Sequence, residues 1–365
     1  MEAKLEAALI EARETTIDEQ GDLLVHIAND EENQRFLVDS NALSRLSGKW
    51  KSLIQELRDA HDDAIGARCT KLTISIKGRP DYHWLLFRIM HGDFECIPEE
   101  LAESQLFDIL SLTEEYQIRL SLLRPWIPMW ISTHQRWPGT TGPCDAAGLY
   151  NRLWVAWILG EVKKFHELLI LLVQEVVPGN GDAELLISGK PLPQSPDIPG
   201  LFVVNSISDY LRSERESRVS DLLNVFDKQV YLCETGQTRY CKFAERPDTE
   251  RSMCDFIVAG SILRGYHNQV VEPAGSSRAR RRQSVKVTYD RLKSIVIHTY
   301  SCIPVDGTPS PPAGQTHEGR CNPTAGLHEE LQMITEMEDL DDCFLQHLTQ
   351  QARLTGLDSW MWDYV

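Results

Sequence analysis

The sequence has no apolar run long enough to cross a bilayer. Its greasiest stretch, Leu168 to Val177, is broken by Gln174 and Glu175, and a spanning helix needs roughly 20 apolar residues. That stretch reads as a buried helix, and no membrane association is expected. The opening residues, MEAKLEAALIEARE, carry acids throughout and lack the apolar centre of a secretory signal. The expected location is the cell interior, with nucleus and cytoplasm left open. No Asn-x-Ser/Thr acceptor occurs, because Asn322-Pro323-Thr324 carries the forbidden proline. No Cys-x-x-Cys occurs either. The nine cysteines are odd in number and scattered, which fits reduced thiols and not a disulfide framework. Positive charge is scarce: 37 Lys and Arg face 54 Asp and Glu, a formal net charge of -17. Such a chain repels phosphate backbones, so direct nucleic-acid binding is not expected.

Catalytic signatures are missing too. There is no Gly-x-Ser-x-Gly elbow, phosphate loop, His-Glu-x-x-His or Gly-x-Gly-x-x-Gly. His166-Glu167 is an isolated pair without the partner that a general base needs. Cys233, Cys241 and Cys254 lack the close pair from which a zinc knuckle starts. With His267 they would number four ligands, but helical packing explains Cys254 without a metal. The residues therefore nominate no catalytic, cofactor or metal site, and an enzyme of unrecognised class is the least favoured reading.

What is present is a regular run of elements. The expected domains are an N-terminal helix over 1–20 and an α+β domain over 21–130. A helical extension over 145–303, a flexible linker over 304–324 and an acidic amphipathic helix over 325–365 follow. Leu5, Ala8, Leu9 and Ala12 have helical spacing. Leu23 to Ile27 and Arg35 to Val38 read as paired strands around a polar turn. Leu43, Leu46, Trp50, Leu53, Ile54 and Leu57 form one helical stripe. Leu72, Ile74 and Ile76 alternate with Thr73, Ser75 and Lys77, the pattern of a half-buried strand. A helix around Trp84 to Ile89, a short extended piece Phe94–Pro98 and a helix over Ser104–Tyr116 complete an α+β arrangement.

That order and these residues resemble the BTB/POZ family. Gly21-Asp22-Leu23 is similar to its opening strand. Phe36-Leu37-Val38 followed by Leu43, Ser47 and Trp50 is similar to its next strand and helix. Leu85 to Asp93, then Phe94, Ile97 and Pro98, and Leu106 to Tyr116 resemble its later elements. Leu123-Arg124-Pro125-Trp126 and the run Trp154 to Gly160 resemble fungal members in particular. The resemblance covers about a third of the chain. It departs at Ser40-Asn41, where many members have His-Lys, and at Gly48-Lys49 before Trp50. It implies a protein-interaction adaptor with protein partners. It also implies self-association, as a homodimer, through Leu43, Leu46 and Trp50, and docking of a cullin-type ubiquitin ligase on Phe94, Ile97, Leu106, Phe107 and Tyr116.

Beyond that domain, Trp154 and Trp157 share one helix side and read as core aromatics. Pro193 and Pro196 have PxxP spacing within a loop. Arg212 to Glu216 reads as a solvated charge ladder on a long helix from about Ser206 to Leu232. Val285 to Tyr300 is expected to be helical. Arg278, Arg280, Arg281 and Arg282 stand out against the acidic background as a nuclear-import patch, with Ser284 beside them as a phosphosite. They support an alternative reading, a nuclear transcription or chromatin regulator that recruits partners through the BTB-like domain. Seven acids between Glu329 and Asp342 mark the last segment, expected to dock within the chain.

Overall fold

The computed structural model describes residues 13–29, 32–63, 72–134, 146–179, 184–192, 207–271, 282–300, 316–336 and 340–358. Two compact units share the chain. One comprises the described residues up to 134 together with 151–165 and those from 345 onward; the other comprises 146–150 and the described residues within 166–344.

The first unit is built on a four-stranded sheet ordered β1-β3-β2-β4, with β1 at Arg13–Thr16, β2 at Leu23–Ala28, β3 at Asn33–Val38 and β4 at Leu72–Lys77. The hairpin β2–β3 is antiparallel, with Leu23 opposite Val38 and Ala28 opposite Asn33. Strand β4 returns parallel to β2, setting Ile74 beside Val25 and Ile76 beside Ile27. Alternation decides the faces: Leu23, Val25 and Ile27 point into the core and are fully buried. Strand β4 lies at the sheet edge with Thr73, Ser75 and Lys77 exposed.

The helix expected over residues 1–20 is corrected at its end. Arg13–Thr16 is a strand, paired parallel to β3 from Arg13↔Gln34 to Thr16↔Leu37. The β-branched Thr15 and Thr16 suit that edge better than a helix. Residues 1–12, with Leu5, Ala8, Leu9 and Ala12, lie outside the described residues.

Helices α1 (Ser40–Leu46) and α2 (Gly48–Asp63) follow β3. They replace the single helix that the apolar stripe predicts. Ser47 breaks it in extended geometry, bridges to Ile118, and accepts a hydrogen bond from the Trp50 amide at 3.0 Å, which caps α2. Asp22 ties strand to helix. Its two oxygens accept from the Ser40 amide (2.8 Å) and hydroxyl (2.7 Å), and Arg58 lies 3.7 Å away. Burial alone would raise this carboxyl, but the Ser40 bonds and Arg58 hold it below the usual aspartate range.

Helices α3 (Pro80–His91), α4 (Glu103–Glu115) and α5 (Ile127–His134) complete the front of the unit. Two further helices, α6 (Ala146–Leu159) and α7 (Val162–Glu175), meet at Gly160, whose φ of 79° stops the helical spiral. This break divides the run expected from Ala146 to Val177. Trp154 and Trp157 are both core aromatics at 3% and 1% exposure.

Glu161, next to Gly160, has its carboxyl pushed up to about 7 by burial, against the opposing charge of Lys164. A folded pKa above the unfolded value means that the folded state binds the proton more tightly. The advantage is full below about pH 4 and is lost as pH rises through 7. Glu161→Gln is therefore expected to gain roughly 1–3 kcal/mol at about pH 8 and nothing near pH 4. Urea melts at the two pH values would check it; equal effects at both would refute it.

The second unit is mainly helical, with a small sheet ordered β5 (Val177–Pro178), β6 (Leu185–Ile187) and β7 (Lys190–Pro191). Its longest helix is α8 (Ile207–Glu234), followed by α9 (Asp248–Tyr266), α10 (Val285–Lys293), α11 (His317–Cys321) and α12 (Thr324–Thr335); α13 (Asp342–Thr355) begins in this unit and ends in the first. Leu211, Val219, Leu222 and Phe226 carry the buried stripe of α8. The charge ladder expected there is corrected at Arg215, which is 1% exposed and donates to the Gln283 carbonyl at 2.5 Å. Arg218, just past the ladder, reaches the Ile334 carbonyl at 2.5 Å while holding Glu214 of the ladder at 2.7 Å.

Three further boundaries shift. Helix α10 ends at Lys293, and Ser294–Tyr300 is irregular. The linker expected over 304–324 ends in a short helix, because Thr316 accepts from the Gly319 amide at 3.2 Å and caps α11. The acidic C-terminal segment is two helices, α12 and α13. Pro193 and Pro196 lie outside the described residues, as does 301–315.

Candidate functional site

Five residues of the first unit were expected to meet a partner together, and the structure divides them. Leu106 (1% exposed) and Tyr116 (3%) belong to the core. Phe107 is half-buried, its ring 5.1 Å from Trp154. Ile97 is half-buried too, and Phe94 alone of the five is exposed, at 54%. The local cause is the end of α3. Gly92 adopts φ 77°, its amide returns to Ile89, and the Asp93 amide returns to the Arg88 carbonyl at 2.9 Å. The chain then turns outward, and Phe94–Pro98 pairs with no strand among the described residues. The short extended piece expected there is thus a turn. It is held by Trp130, whose indole N–H donates to the Pro98 carbonyl at 2.8 Å, and by Phe94 leaning on Trp126 at 5.2 Å. Glu95, Glu99 and Glu100 are exposed around it. The result is an apolar projection within an acidic rim.

The self-association residues are placed differently from expectation. Leu43 is fully buried and Trp50 is 1% exposed. Trp50 stacks on Tyr116 at 5.1 Å and meets the edge of Phe87 at 5.7 Å. Both are occupied by their own domain core and offer nothing to a second copy; only Leu46 is partly exposed. The stripe is apolar, as its spacing predicts, but its buried face turns inward onto the sheet and α3.

Of the arginine cluster, only Arg282 is described, and it is exposed; Arg278, Arg280 and Arg281 lie outside the described residues. Ser284 is 4% exposed, and its hydroxyl accepts from the Val287 amide at 3.2 Å as the cap of α10. A kinase would reach it only after the start of that helix had opened.

The second unit assembles a group that the spacing of its residues along the sequence does not reveal. Cys241 follows α8 in the irregular connection, Cys254 lies in α9, and His317 and Cys321 are one turn apart in α11. All four are buried, at 7%, 0%, 5% and 3% exposure. His317 Nδ1 faces the three sulfurs at 3.8 Å (Cys241), 3.1 Å (Cys254) and 3.6 Å (Cys321). Asp255 fixes the approach of Cys241, its Oδ1 accepting from the Tyr240 and Cys241 amides at 2.7 Å each. The imidazole sits beside Phe243 at 4.7 Å and edge-on to Tyr300 at 5.5 Å. Burial pushes the Cys254 thiol up to about 12 and raises Cys321 as well. Cys233 and His267, weighed with Cys241 and Cys254 from sequence, are not members. Cys233 instead sits 3.3 Å from the Tyr240 hydroxyl.

No family model, curated protein or solved structure matches the chain.

The layout is mixed α/β, with a small N-terminal sheet followed by a mostly helical region. No helix of the described residues is long and apolar enough to cross a membrane.

Proposed function

We propose that the chain is a protein-interaction adaptor built on a BTB/POZ-like domain, and that it recruits a cullin-type ligase scaffold. The element order carries the reading: an antiparallel hairpin, two short-linked helices, a strand parallel to the first, and then further helices over the sheet. The Phe94 turn supplies the docking point. An aromatic ring left more than half exposed beside Trp126 is the kind of anchor that carries binding energy at interfaces. Its acidic rim favours a partner with a basic face.

The test uses the purified full chain and the purified N-terminal domain of a cullin scaffold, with binding read by biolayer interferometry. Phe94→Asp is expected to weaken binding by about 2 kcal/mol, roughly thirtyfold. Its melting temperature should stay unchanged, because Phe94 is outside the core. Absence of measurable binding by the unaltered chain would sink the ligase reading.

A further inference from the structure

We propose that Cys241, Cys254, His317 and Cys321 form a structural zinc site. The donor set is the first argument. Three sulfurs and one imidazole nitrogen lie within 4.8 Å of one another, all buried. Tetrahedral Zn²⁺ with bonds of about 2.3 Å to sulfur and 2.0–2.1 Å to nitrogen sets its ligand atoms about 3.5–3.8 Å apart. The observed nitrogen-to-sulfur distances of 3.8, 3.1 and 3.6 Å bracket that spacing. Only small side-chain movements separate the group from coordination geometry.

The surroundings are the second argument. The Lys242 amide donates to the Cys321 sulfur at 3.3 Å. Backbone N–H groups aimed at sulfur support thiolates, and such outer bonds orient metal ligands. Phe243 and Tyr300 wall the imidazole, and Arg320 lies 4.6 Å over the Phe243 ring. Three neutral thiols and a histidine packed together would leave poor hydrogen-bonding groups crowded around one imidazole. A divalent cation turns the same crowd into four bonds.

Binding converts Zn²⁺ and three thiols into a trithiolate–imidazole complex of net charge -1 and releases three protons; no redox step is involved. Four protein ligands fill the tetrahedron, so no position is open to substrate and the role is structural. The metal would fasten the connection after α8, the second turn of α9 and the five-residue α11. His317 and Cys254 are 63 residues apart in sequence, and Cys241 and His317 are 76 apart. Residues this far apart gain most from a clip that removes loop entropy from the unfolded chain. A five-residue helix also needs such an anchor, because isolated helices of that length do not persist in water.

The experiment is metal analysis of the full chain, purified without chelator from zinc-supplemented cells. One zinc per chain is expected. Cys254→Ser and Cys321→Ser should lose it, whereas Cys233→Ser and Cys343→Ser should keep it. To keep the test independent of folding in the first pair, the unaltered protein is also titrated with a mercurial, which should release one zinc as the thiols are capped. Replacement by Co²⁺ should give the intense visible bands and sulfur charge transfer of a tetrahedral thiolate site. Less than one tightly held zinc after metal addition, an octahedral Co²⁺ spectrum, or full zinc retention in folded Cys254→Ser would each overturn the proposal.

Discussion

Trp50→Ala is expected to destabilise the first unit by about 3–5 kcal/mol, the cost of emptying a large buried aromatic site. Most single-domain proteins have only about 5–15 kcal/mol to lose. Trp50 is 1% exposed and central to a ring cluster. It stacks on Tyr116 at an interplanar angle of 12°, meets Phe87 at 64°, and Phe87 in turn meets Phe36 at 72°. Offset and edge contacts of this kind add to simple area burial. These rings join α2, α3, β3 and the end of α4, and Trp50→Phe should recover part of the loss by refilling some of the volume. Urea unfolding followed by circular dichroism measures both. A loss below about 1 kcal/mol for alanine would mean that the site collapses or is wet, against the packing described.

Gly160→Val should be at least as damaging, at about 4 kcal/mol or more, through backbone conformation and collision together. At φ 79° a β-branched residue is strained, at a cost of order 1–3 kcal/mol. A Cβ at this position would also stand 2.2 Å from the Ala352 nitrogen and 2.4 Å from the Leu348 carbonyl oxygen. Neither is a movable side-chain tip, so α13 must shift. Two contacts go with it: the Thr355 hydroxyl bond to the Leu159 carbonyl at 2.8 Å, and the stack of His347 on Trp157 at 3.8 Å. Limited proteolysis should show new cleavage between 345 and 358, together with a lower melting temperature. Protection equal to the unaltered chain would refute the close approach.

The sheet of the first unit was legible because alternation is a local signal. Leu72, Ile74 and Ile76 declare a strand without reference to any other residue. The faces of helices were legible as apolar but not as to what covers them, so Leu43 and Trp50 passed for an interface. Ser47 was invisible as a break because the apolar spacing runs through it; its cap becomes apparent only when Ile118 and Tyr116 are alongside. Arg215 looked solvated because its acceptor, the Gln283 carbonyl, lies on a distant segment. The four-donor group shows the limit most clearly. His317-x-x-x-Cys321 has the spacing of one helical turn, but it sits inside 304–324, whose composition reads as linker. The absence of a close cysteine pair hid the rest, since three distant segments supply the ligands.

The seat of α13 has a consequence for how the protein is made. Thr355 and the Leu159 carbonyl it grips are 196 residues apart, with the second unit between them. A ribosome delivers the sheet, α6 and the indole of Trp157 long before it delivers His347, Leu348 and Ala352. During that interval the nascent front unit lacks α13, which packs against Gly160 and Trp157. Synthesis of the inserted unit therefore sets the length of time for which a chaperone, or nothing, must cover Trp157.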